Sequence, residues 1–140
     1  MGNDLKIPLL AGLPSHPGLL PKWLLLVAII SVVNSLQTYL SLAGAKKVYN
    51  RQSNLVSGLQ SRTFGTWTLI SGIIRCYAAY NISNSALYHI TIASFLVALL
   101  HFTSEFLIYQ SAGSGALPPF IVAFSSSIWM ISLYDYYVPS

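Results

Sequence analysis

Long apolar runs separated by short polar stretches organise this chain. The runs cover about residues 23–42, 63–80, 87–109 and 118–137. Each is close to the roughly 20 residues that an α-helix needs to cross the hydrocarbon core of a bilayer. Between the second and third lies the short turn Asn81-Ile82-Ser83-Asn84-Ser85. Between the third and fourth lies the small-residue stretch Ser111-Ala112-Gly113-Ser114-Gly115, and Pro118-Pro119 opens the fourth run. The longest polar connection, 43–62, holds Lys46, Lys47, Arg51 and Arg62. Its later part, Asn54 to Ser61, has Gly58 as its one breaker, which leaves room for the next helix to begin early. Short connections make consecutive helices antiparallel neighbours. The pattern therefore predicts an all-α integral membrane protein, a compact antiparallel bundle of four transmembrane helices over residues 22–140.

The ends modify that picture slightly. Residues 1–21 carry Pro8, Pro14, Pro17 and Pro21 without a helical period and are expected to form a loosely ordered tail. The first apolar run is followed by Ala43-Gly44-Ala45, which has the small-x-small look of a signal-peptide cleavage site. The run exceeds the 7–15 residues of a signal core, so it is read as a retained helix. Lys22 and Trp23 stand at its entrance, and Tyr134, Tyr136 and Tyr137 close the last run, as interfacial residues do.

Composition agrees with a lipid environment. Of 140 residues, 54% are hydrophobic and 7% charged, against about 25% charged in soluble domains, and the mean hydropathy is +0.63. The net charge of +4 comes from few residues placed between apolar runs. That suits anionic headgroups and membrane orientation rather than nucleic acid. Loop 43–62 carries four cations against Lys6 and Lys22 in the tail. Positive-inside counting places the loop in the cytosol and both termini across the membrane. Asn81-Ile82-Ser83 matches a glycosylation acceptor on the far side, but too close to the membrane to count on. The lone cysteine, Cys76, allows no internal disulfide and reads as a packing residue.

The most informative pattern within the runs is small. Gly58, Gly65, Gly72 and Ala79 recur every seven residues, about two helical turns, and line one face. In lipid such faces drive close helix packing, within the bundle or against a partner. The polar residues Asn34, Ser35, Gln37 and Thr38 lie in the first run, with Asn34 and Gln37 on one face, and Gln60 and Arg62 at the entrance of the second are candidate partners. Matching depths along antiparallel helices pairs Arg62 with Glu105 at one face, and Arg75 with Asp135 and His89 at the other. These residues, with His101, form a candidate interhelical polar network.

Catalytic machinery is hard to find. His101 and Glu105 share a helix face, but two ligands make no metal site, and the chain holds only His16, His89 and His101. That count excludes a histidine-rich di-iron oxygenase. No glycine-rich turn follows a strand, so dinucleotide binding is excluded as well. No cofactor is expected. A His–Glu acid/base pair acting on a lipid is the remaining enzymatic alternative.

The stretch Asn54-Leu55-Val56-Ser57-Gly58-Leu59-Gln60-Ser61-Arg62-Thr63-Phe64-Gly65-Thr66-Trp67-Thr68-Leu69, continued by Ile74-Arg75-Cys76, resembles the signature of the ergosterol biosynthetic protein 28 family. Leu87-Tyr88-His89-Ile90-Thr91 with Phe95, His101-Phe102-Thr103-Ser104-Glu105 with Tyr109, and Asn34-Ser35-Leu36-Gln37 extend the resemblance from the first run to the fourth. The proline-rich tail looks lineage-specific, and the C-terminus lacks the basic tail that some members carry. The resemblance implies a non-enzymatic scaffold of the endoplasmic reticulum membrane. Its expected partners are the sterol C-4 methyl oxidase, the sterol C-4 decarboxylase and the 3-keto sterol reductase, with links to the sterol C-24 methyltransferase. Passing sterol intermediates between enzymes is the alternative role. Self-association and the helix that meets each partner are left open.

Overall fold

The computed structural model describes residues 4–8, 10 and 12–140. The described residues form helices joined by turns. They are α1 (Leu20–Leu40), α2 (Ala43–Val48), a 3-10 turn (Asn50–Leu55), α3 (Gly58–Tyr80), α4 (Ser85–Leu107), a second 3-10 turn (Ser114–Ala116), α5 (Leu117–Ser132) and α6 (Tyr134–Tyr137).

The boundaries have local causes. Pro21 lies in the first turn of α1, where its missing N–H costs nothing, so the helix starts ahead of Trp23. Ser57 caps α3 by accepting the Gln60 amide at 3.1 Å, which sets the start at Gly58 rather than Thr63. Asn84 caps α4 in the same way, through Leu87 N at 3.0 Å. Gln110, in the left-handed region at φ 52°, turns the chain after α4 so that the Ser111 and Ala112 amides return to the Glu105 carbonyl. Pro118 and Pro119 stand in the first turn of α5. That helix stops at Ser132, five residues short of the expected end. The chain breaks at Leu133 and resumes as α6, which turns Tyr137 inward, 4% exposed.

Three of the described helical stretches are long and apolar enough to cross a membrane: Leu20–Leu40, Ser85–Leu107 and Ser114–Ser132. The helix expected as the second span, α3, equals α4 in length at 23 residues but is not among the three. Its sequence mixes Gln60, Arg62, Arg75 and several hydroxyls with the apolar positions.

Packing runs from neighbour to neighbour. The most extensive contact joins α1 to α3, the next joins α4 to α5, and α3 against α4 ties the two pairs together. Side-chain contacts set the directions. Gly65 lies against Ser35 and Thr38, and Gly72 against Ala28 and Ser31, so α1 and α3 are antiparallel. The Tyr88 hydroxyl donates to the Met130 carbonyl at 2.6 Å, filling an acceptor that the end of α5 would otherwise leave open. Trp23 closes the set from α1 to α5, donating to Ser126 Oγ at 2.9 Å. Leu24, Tyr88, Phe95 and Met130 are fully buried at the centre. The outward faces stay apolar, with Ile30 and Leu36 on α1, Ile70 on α3, Val97 and Leu100 on α4, and Ile121 and Ile128 on α5 all exposed. Surface of that kind suits lipid rather than water.

The tail is tied to the end of the bundle where α3 meets α4. Lys6 N donates to Asn81 Oδ1 at 2.6 Å, and Asn81 Nδ2 returns a bond to the Lys6 carbonyl at 2.9 Å. Tyr80 and Tyr137 donate to the carbonyls of Gly12 and Pro17. The side-chain amide of the Asn81 acceptor sequence is thus engaged by the tail.

Candidate functional site: helix seam, buried arginine and loop-end cluster

The α1–α3 seam is built from residues too small to keep two backbones apart. A Cβ on Gly65 would run into Thr38 Oγ1, and one on Gly72 would lie 3.3 Å from the Ala28 carbonyl oxygen and 3.1 Å from Ser31 Cβ. At this separation side-chain hydroxyls bond directly to the opposite backbone. Ser35 Oγ donates to Gly65 O at 2.8 Å, and Ser61 Oγ donates to Thr38 O at 2.7 Å. The face carrying Gly65 and Gly72 is therefore covered by the chain's own α1. Gly58 lies outside the seam, near the folded-back side chain of Arg62, and Ala79 is buried at the far end. Asn34 is half-buried and Gln37 exposed. The cross-linking falls instead to Ser35, Thr38 and the less conspicuous Ser31 and Ser61. Their signal in the sequence is the helical spacing of Ser31, Ser35 and Thr38, which faces the Ser61, Gly65, Gly72 row.

Arg75 is the deepest charge, 7% exposed. Its Nε donates to Ser94 Oγ at 3.3 Å, Nη2 to the Ser94 carbonyl and Nη1 to Ser31 Oγ, both at 3.4 Å. The guanidinium carbon sits 4.0 Å from the centroid of the Phe95 ring, a cation–π arrangement that gains strength where water is excluded. One side chain thus fastens α3 to both α1 and α4. The expected pairing with Asp135 does not form. Asp135 is exposed on α6, because α5 ends early and the chain turns away. His89 is also exposed and stacks on Tyr134, ring centroids 5.3 Å apart.

At the opposite end, the 43–57 segment folds onto the 108–116 loop. Arg51 N donates to Ser111 O at 3.2 Å, and the Arg51 side chain reaches Phe106 O at 3.3 Å while lying over the Phe106 ring. Gln52 Nε2 donates to Tyr109 O at 3.4 Å. Gly113 and Gly115 permit this approach, since a Cβ on either would overlap Asn50 Oδ1 or the Lys47 carbonyl. Arg62 does not pair with Glu105. Arg62 is exposed and turned toward Gly58, while the Glu105 carboxylate accepts a short hydrogen bond from Ser111 Oγ. Among the described residues no hydrogen bond joins His101 to Glu105 either; a 2.7 Å hydrogen bond joins His101 Nε2 to the Tyr49 hydroxyl instead. Burial first, and the Glu105 charge second, push the Tyr49 phenol above its usual value, so it stays protonated. Tyr49, Phe64, Trp67 and His101 form a closed circuit of edge-to-face rings with centroids 5.6–5.9 Å apart. Tyr49 was not legible as a site residue, because its contacts depend on how the loop folds back.

Residues 20–128 match the family model described as Erg28 like protein. The chain belongs to the Erg28 family. The Candida albicans relative, named ergosterol biosynthetic protein 28, is 44% identical over 126 residues, 89% of this chain and 91% of its own length. Its Saccharomyces cerevisiae namesake is 44% identical over 131 residues, 91% of this chain and 87% of its own. The Homo sapiens protein named as a homolog is 46% identical over 115 residues, 80% of this chain and 82% of its own. These names place the Erg28 family in ergosterol biosynthesis and designate no enzyme. No solved structure matches the chain. The Erg28 match takes in the seam, Arg75 and the loop-end cluster, and stops short of the tail and α6.

Proposed function

We propose that this chain is a non-enzymatic scaffold of the endoplasmic reticulum membrane that tethers the enzymes of sterol C-4 demethylation. The partners are the C-4 methyl oxidase, the C-4 decarboxylase and the 3-keto reductase, with the C-24 methyltransferase as a further contact. The observation that carries this reading is that the groups nearest to acid–base chemistry are committed to architecture. His101 is held by Tyr49 and Glu105 by Ser111. Holding consecutive enzymes together raises the effective concentration of a lipid-soluble intermediate at the next step.

In this reading α3 is a fourth span and the bundle is four-pass. Its serine and threonine hydroxyls are internally satisfied, which supports that reading. Thr63, Thr66, Thr68 and Ser71 each donate to the carbonyl four residues earlier, so none of these four hydroxyls faces lipid without a partner. With the seam face covered by α1, the surfaces left for partner helices are the exposed apolar faces of α1, α3, α4 and α5 and the cationic loop end.

The test is affinity purification from the native membrane with identification of the co-purifying enzymes, alongside sterol profiling of a deletion strain. Co-purification of the C-4 enzymes with accumulation of C-4 methyl or C-4 carboxy sterols is expected. Conversion of a C-4 sterol intermediate by the purified chain alone, abolished by Glu105→Gln, would replace the scaffold with an enzyme.

A further inference from the structure

A cleft of about 320 Å³ opens beside the first three turns of α3. Its wall is the aromatic circuit of Tyr49, Phe64, Trp67 and His101, and its lip carries Gln60 and Thr63. One feature of the lip is unexplained by the fold. Gln60 Oε1 is buried and has no hydrogen-bond partner among the described residues. A buried acceptor left open costs about 1–3 kcal/mol, so native structures rarely keep one without a reason. The hydroxyl of Thr63 does not relieve it, since it donates to the Leu59 carbonyl.

Depth adds a second constraint. Gln60 lies two residues before the exposed cation Arg62, on the end of the bundle that also carries Lys46, Lys47 and Arg51. That is headgroup level. Trp67 lies seven residues further along the helix, about 10 Å deeper at 1.5 Å per residue. A molecule filling the cleft from lip to floor therefore needs a hydroxyl at the membrane surface and a flat, rigid, apolar body reaching inward along aromatic rings. An acyl chain supplies neither the flat body nor a hydroxyl at this depth.

We infer that this cleft is a binding site for a 3-hydroxysterol, the Gln60 side chain turning its buried carbonyl oxygen into the cleft to accept the sterol hydroxyl and the fused rings lying against Phe64 and Trp67. The ligand class agrees with the biosynthetic names of the relatives, but the site does not depend on the scaffold role. Enzyme tethering is read by co-purification and sterol occupancy by direct labelling, so either can fail while the other stands.

The experiment uses the full chain in lipid nanodiscs with a photoreactive 3β-hydroxysterol, and the adduct is mapped by mass spectrometry. Labelling concentrated on the Tyr49, Phe64–Trp67 and His101 segments is expected, and an unlabelled 3-hydroxysterol should suppress it. A sterane lacking the 3-oxygen should compete about tenfold more weakly, the loss that one hydrogen bond predicts. Gln60→Leu should lower capture by a similar factor with helix content unchanged. The wild-type competition series needs no variant, so the inference remains testable if Gln60→Leu folds poorly. Labelling spread evenly over the lipid-facing helices, equal capture of a photoreactive phospholipid acyl chain in the cleft, or equal competition by the sterane would each overturn the site.

Discussion

At the scale of single residues, the decisive positions are those where a side chain is absent. Gly65 and Gly72 let α1 and α3 approach until Ser35 and Ser61 bond across the gap. Enlarging either drives atoms into backbone that cannot yield. Gly72→Leu is expected to destabilise the chain by about 1–3 kcal/mol and to lower its thermal midpoint in detergent. Ile70→Leu, on the exposed face of the same helix, should leave the midpoint unchanged. His16 gives the tail a pH dependence. Burial, and secondarily Lys6, hold its imidazole below the usual value, so the docked tail favours the neutral form. Docking is complete above the ordinary imidazole pKa of about 6.5 and weakens as pH falls through the lowered folded value. Limited proteolysis of the tail should therefore accelerate on the acidic side.

At the scale of elements, Arg75 is the test case, because it links α3 to α1 and α4 without a carboxylate. Both serines it touches already donate elsewhere, Ser31 Oγ to the Val27 carbonyl and Ser94 Oγ to the Thr91 carbonyl. Removing the guanidinium strands no donor. Arg75→Met should therefore cost little, under about 1 kcal/mol, as apolar replacements of buried charges often do. Arg75→Lys, which keeps the charge but loses the planar fork and the stacking on Phe95, should cost about 1–3 kcal/mol. Thermal melts of the two variants in one detergent check the order, and a Met variant less stable than the Lys variant would falsify the account. At the loop end, Gly115→Ala must push the Lys47 backbone away. Faster protease cleavage within 43–57, with α1 and α3 intact, is the expected signature.

At the scale of the whole molecule, charge is distributed unevenly along the bundle. The loop end holds Lys46, Lys47, Arg51 and Arg62 against Glu105, whereas the other end balances Lys6 and Lys22 against Asp4 and Asp135. The positive-inside rule then predicts that the loop end faces the cytosol. In a Cys76→Ser background, a cysteine placed at exposed Lys47 should react with an impermeant maleimide only from the cytosolic side of sealed microsomes. One placed at exposed Asp135 should react only after permeabilisation. Reaction of both from one side would remove α3 as a span, since only α4 and α5, an even number of crossings, would then separate the two positions.

The one-dimensional pattern of apolar runs was enough to locate the four long helices, because their length and the prolines at 21 and 118–119 are local properties of the chain, but it set the start of α3 at Thr63 because it does not show the Ser57 cap. It was enough to place Gly65 and Gly72 on one face, because a seven-residue spacing maps onto a helix without reference to any neighbour. It did not reveal the partners of the charges. Arg75 and Asp135, or Arg62 and Glu105, match in depth along ideal rods. Depth does not specify rotation about each helix axis, the early end of α5 at Ser132, or the folding of the 43–57 loop onto Ser111 and His101. Those depend on contacts between residues distant in sequence, and they turned a list of intramembrane charges into hydroxyl-held staples with an aromatic cleft beside them.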